Sequence, residues 1–167
     1  SCQIMVGLES LFVITLNLNW LGALKMIEQV KNKGETLSII IRADYKSSGI
    51  EFFTPADYSQ QLGYMNHDNG YIISPHLHNP VQHKVQITQE VLYIKNGKLR
   101  VDFYDNGKVY LESRVLNRGD IILLAYGGHG FQMIEPTEII EIKQGPYAGD
   151  KDKTRFDPVD FSELVIN

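Results

Sequence analysis

The chain has 167 residues, 43% hydrophobic and 22% charged, with a formal net charge of −4 and one cysteine. That length and composition suit a single globular domain with a sizeable core, and the acidic balance, without a basic stripe, gives no reason to expect a nucleic-acid partner. Cys2 alone excludes an internal disulfide and fits a reducing, cytoplasmic setting.

Residues 4–24 are apolar, but they lack the basic start and small-residue cleavage site of a signal peptide. Glu9, Asn17 and Asn19 also make them a poor membrane span. Phe12, Ile14, Leu16, Leu18 and Trp20 alternate with Val13, Thr15, Asn17 and Asn19, which predicts a strand with one apolar face. An arm of this kind is expected to exchange with a second subunit, so a homodimer is the expected assembly. Met26 precedes a more conventional polar opening, which makes residues 1–25 candidates for an extension upstream of the functional domain. Leu24, Ile27 and Val30 lie on one side of a predicted short helix over 24–33, with Gly34 as its C-cap.

From there the chain reads as β almost throughout. Strands are expected near 36–43, 50–54, 61–66, 71–75, 89–95, 98–104, 108–115, 121–125, 129–135 and 138–144. Asn96-Gly97 and Asn106-Gly107 have the composition of primed hairpin turns, which would join 90–95, 99–104 and 109–115 in a meander. Short antiparallel strands with this turn chemistry predict an all-β domain, a barrel or double-sheet jelly roll. The layout is an N-terminal arm and short helix over 1–35, a barrel over 36–148 and a polar tail over 149–167.

The chemistry-bearing residues concentrate in 71–97 and near 129. His76 and His78 are two apart, so on a strand they project from one face; His83 and Glu90 follow, and His129 comes later. Imidazoles on one face with a carboxylate and a remote His form a credible ligand set for a divalent metal. In this respect the sequence resembles the cupin superfamily. His76-x-His78, then Glu90, then VLYIKN and Gly97 match its first motif, and Gly119-Asp120 with His129 match its second. The resemblance covers about 60–145 and implies a small cupin-type β-barrel (double-stranded jelly roll) holding one metal through His76, His78, Glu90 and His129. Two features depart from the pattern. Eleven residues separate His78 from Glu90, where the family usually has three or four, and the second motif is about one residue short, with Ala125 at its usual proline. Glu90 is favoured over His83 as a ligand because Gly97 is in register with it. GGHGF and KQGPYAGDKDKTRF are similar, more loosely, to small cupins encoded with nucleotide-sugar and polysaccharide enzymes.

Three imidazoles and one carboxylate suit Fe(II), Mn(II), Ni(II), Co(II) or Zn(II), with positions left open for a ligand. His83, Tyr93 and Tyr126, with Tyr71 and Tyr104, are the candidates for moving a proton. Lys143, Gln144, Tyr147, Lys151 and Arg155 are candidates for a cationic rim that would take a phosphate or carboxylate. The leading expectation is a metal-dependent isomerase or epimerase of a sugar or nucleotide sugar. An Fe(II) dioxygenase, a non-catalytic ligand-binding cupin and a metal-free epimerase are the alternatives. No membrane partner is expected.

Overall fold

The computed structural model describes residues 25–82, 84–146 and 149–167; the arm predicted at 12–20, His83 and Tyr147 lie outside the described residues. The chain opens with β1 (Ile27–Asn32) and β2 (Glu35–Ile41), paired antiparallel, where a helix is predicted. Lys33 and Gly34 both adopt positive φ, 50° and 89°. This is the two-residue primed turn whose twist matches its flanking strands, so Gly34 serves a hairpin and not a helix end. The apolar run of β2 supplies the reason. It presents a strand for 27–32 to pair with, and a three-position apolar spacing is too short to hold a helix against that pairing.

β3 (Gly49–Phe52) and β4 (Gly63–Asn66) form a separate hairpin. They are followed by β5 (Glu90–Asn96), β6 (Lys98–Tyr104), β7 (Tyr110–Asn117), β8 (Ile121–Leu124), β9 (Gly128–Met133) and β10 (Glu138–Lys143). One sheet has the order β1-β2-β8-β5-β10 and another β7-β6-β9, and every ladder between named strands is antiparallel. The domain is therefore all-β, as expected, but the described sheets do not close into a barrel. Residues 71–75, predicted as a strand, carry no regular structure.

Asn96-Gly97 does not make a hairpin. β5 pairs with β8 and β10, while β6 pairs with β7 and β9, so the chain crosses there from one sheet to the other. Gly97, at φ 86°, passes so near the next connection that an added Cβ would stand 2.2 Å from the Pro136 carbonyl oxygen. The β6–β7 hairpin does form, though not with a primed turn at Asn106-Gly107. Lys108 takes the positive φ, and Asp105 Oδ1 accepts from the amides of Gly107 and Val109.

The crossing creates the main core. Leu92, Ile94, Ile122 and Leu124 from the first sheet meet Leu99, Val101, Phe103 and Leu116 from the second. Burying each such side chain stabilises the fold by roughly 1.5–3 kcal/mol. The other face of the first sheet buries Ile39, Ile41, Val91 and Leu123 against Leu62, Phe53 and Tyr58. With both faces covered, β2, β5 and β8 read as nearly continuous apolar runs.

Residues 149–167, the expected polar tail, pack on β6 and β7. The Ser113 amide donates to the Val165 carbonyl at 2.8 Å, and the Val159 amide donates to Tyr104 Oη at 3.0 Å. Beneath this segment Arg100, Asp102 and Tyr104 are buried, although the alternation of β6 turns them away from the main core. Arg100 grips Asp102 through Nε at 2.6 Å and Nη2 at 2.9 Å, Ser113 Oγ donates to the same carboxylate, and the Phe161 ring lies 5.3 Å from the guanidinium. Among the described residues no helix is long and apolar enough to cross a membrane.

Candidate functional site at the open end of the two sheets

Glu90 is the first residue of β5, and Leu92 and Ile94, which share its face, lie in the main core. Its side chain therefore sits at the edge of that core and is only 7% exposed. His129 on β9 stands opposite Phe103 of β6 in register, which turns its ring toward the same interior. The two meet across the sheets, with His129 Nε2 3.2 Å from Glu90 Oε2.

The glycines of the GGHGF stretch give this ring its setting. Gly127 has φ 72°, and a Cβ there would come within 2.5 Å of the Tyr104 carbonyl oxygen. Gly128 alternates with His129 and faces the C-terminal segment, where a Cβ would stand 3.0 Å from the Phe156 ring and 3.2 Å from Tyr104 Cβ. The segment thus closes on a glycine face while the imidazole keeps the interior.

The other carboxylate oxygen of Glu90 meets two ammonium groups, Lys153 Nζ at 3.2 Å and Lys143 Nζ at 3.8 Å. Lys143 lies beside Glu90 in the β5–β10 register and is also bound to Glu141 at 2.6 Å. The hydrogen bond from His129 holds the Glu90 carboxyl down at about 2; the hydrogen bond and charge of Lys153 act the same way, and burial acts against them. A nearly buried acid is thereby kept ionised by an imidazole and an ammonium. The pair lies in a cleft of about 1370 Å³ whose walls include residues 85–88, Phe131 and the C-terminal residues 152–161.

The remaining predicted residues fall elsewhere. His76 and His78 are neighbours, their ring centroids 5.2 Å apart, but both are exposed on the irregular stretch between β4 and β5. His76 Nδ1 is engaged with the Ser74 carbonyl at 3.0 Å, and neither ring is among the residues lining the cleft. Among the described residues no group of three or more His, Cys, Asp or Glu side chains comes together to hold a metal ion. The described donors thus fall short of the four-ligand set that the resemblance implies, two being at the site and two away from it.

Tyr93 alternates with Glu90 and Leu92, so it faces the opposite side of the sheet, and Tyr126 packs against the main core beside a smaller cleft with Gln89. Tyr71 stacks on His67 at 3.9 Å. Tyr104 lines the main cleft, with its hydroxyl accepting from Val159. Of the expected cationic rim, Lys143 reaches Glu90, whereas Gln144 bridges the Gln89 amide and Ser59. Lys153 was not legible as a site residue, because sixty-three positions separate it from Glu90 and no local pattern marks it. No protein-family model matches the chain, and neither does any curated protein or solved structure.

Proposed function

We propose that the chain is a cupin-like enzyme that moves a proton on a small polar molecule, an isomerase or epimerase of the sugar or nucleotide-sugar class. The observation that carries this reading is the Glu90–His129 contact at the cleft, at 3.2 Å, formed by residues of two sheets in the order of the cupin motifs. The path of the chain is compatible with a jelly roll: β5, β8 and β10 lie in one sheet and β6, β7 and β9 in the other, so from β5 to β10 every connection but the β6–β7 hairpin passes between them.

Glu90, ionised and engaged with Nε2, orients the imidazole and stabilises the imidazolium that forms when His129 takes a proton. That leaves Nδ1 for the substrate. A proton taken from the carbon next to a carbonyl and returned to its other face gives epimerisation; returned to the neighbouring carbon, it gives isomerisation. The test is exchange of substrate C–H for solvent deuterium, followed by NMR over a panel of sugar phosphates and nucleotide sugars. Exchange that disappears in His129→Ala and falls at least a hundredfold in Glu90→Gln is the expected result. Exchange that is undiminished in both variants would refute it.

The second reading is the metal-binding cupin, with His76, His78, Glu90 and His129 holding one divalent transition metal. It is supported by the motif spacing and by the pairing of the His76 and His78 rings. On this reading, protein purified without chelator carries about one metal per chain, and His76→Ala with His78→Ala removes it. If metal content is nil in the parent chain, or unchanged in the double variant, this ligand set is wrong.

A further inference from the structure

Resting on the reading that a ligand binds at the Glu90–His129 end of the cleft, we propose that Lys153 selects a ligand carrying an anionic oxygen, a phosphate or a carboxylate, and holds that oxygen beside His129. An ammonium carries three N–H donors. One of those on Lys153 points to Glu90 Oε1 at 3.2 Å, and the side chain remains 49% exposed in the wall of the cleft. The same oxygen of Glu90 already has a second cation, Lys143, 3.8 Å away. Lys143 is held more closely by Glu141, at 2.6 Å, so it is the half-exposed Lys153 that keeps further N–H donors for an oxyanion of the ligand.

Of the aspartates that line the cleft, Asp102 is neutralised by Arg100, while the hydrogen bonds of Asp152 and Asp160 fix their carboxylates in place without removing their charge. Asp102 is gripped by Arg100 and Ser113. Asp152 Oδ1 accepts from Thr88 Oγ1, and Asp160 caps the Phe161–Glu163 turn through the Ser162 amide and hydroxyl. Lys153 arrives on the C-terminal segment, which is fixed on either side of the cleft by the Asp152–Thr88 and Val159–Tyr104 hydrogen bonds. Its position is thus set by the fold and not by the run of a free tail.

The geometry makes a signed prediction. Glu90 competes with the ligand for the same ammonium groups, so removing its charge should tighten anion binding even as it removes the partner of His129. Inorganic phosphate and malonate, titrated separately into the full chain by calorimetry, distinguish the two anion chemistries. Phosphate, malonate or both should bind the parent chain; Glu90→Gln should bind several-fold more tightly, and Lys153→Met about tenfold more weakly. Lys153→Arg, which keeps the charge, should stay near the parent value and controls for folding. Lys153→Met binding both anions as the parent does, or neither anion binding Glu90→Gln, would overturn the assignment. Because calorimetry reads binding without turnover, a chain that holds anions through Lys153 yet exchanges no substrate proton refutes the enzymatic reading alone.

Discussion

Glu90 and His129 stand on strands of two sheets that share one core, and their side chains meet at 3.2 Å. His76 and His78 stand on an exposed stretch without regular structure and meet only each other. Both pairs come from the same motif pattern. The difference lies in what fixes them. A strand residue inherits its direction from the ladder and the core behind it: Glu90 follows from Leu92 and Ile94, and His129 follows from its register with Phe103. A loop residue has no such constraint, and Leu77, between the two histidines, is 92% exposed. Of the four residues that motif spacing names, the fold brings Glu90 and His129 together and leaves His76 and His78 apart from them.

Four measurements would break or sharpen this contrast, beginning with the largest effect. Phe103 is buried behind His129, and Phe103→Ala should lower stability by about 3–5 kcal/mol in denaturant melts. A loss under about 1 kcal/mol would mean that the two sheets do not share the core described.

Next comes acid. Glu90 is held at about 2, below its ordinary 4.5, so its ion pairing stabilises the fold above pH 4.5 and is lost as pH falls through 2. That contribution is on the order of 3 kcal/mol, and Glu90→Gln should flatten the pH profile of stability between those limits. A parent-like slope in the variant would place the acid sensitivity elsewhere.

Smaller still, Tyr104→Phe removes the acceptor of the Val159 amide and should cost about 1 kcal/mol, with faster hydrogen exchange at Val159. Unchanged exchange there would mean that the Tyr104 hydroxyl does not hold the Val159 amide, leaving the segment to its other hydrogen bonds and ring contacts. Last, Leu77→Ser should shift stability by less than about 0.5 kcal/mol, since nothing is buried by it. A larger loss would show that the stretch carrying His76 and His78 packs against something.

Much of the fold was legible. The strands from 89 onward lie within a residue or two of their expected positions, because alternation and apolar runs are local signals. Three expectations failed for reasons beyond the local chain. The helix at 24–33 gave way to pairing with β2, and 71–75 found no partner strand. Asn96-Gly97 serves a crossing between sheets, although its dipeptide is that of a hairpin. The motif spacing pointed to Glu90 and His129, which the fold brings together, but His83 lies outside the described residues, Tyr93 is on the opposite face of β5, and Tyr126 lines a smaller cleft that does not include Glu90.

By itself the sequence determined an all-β chain, since period-two patterning is a local signal, and motif spacing pointed to Glu90 and His129. Only the tertiary structure decided which sheet each strand joins, that the two sheets remain an open pair, and that Lys153 of the C-terminal segment reaches Glu90. Those outcomes depend on contacts between distant positions, where the free energy comes from surfaces buried together and no local pattern records the partner.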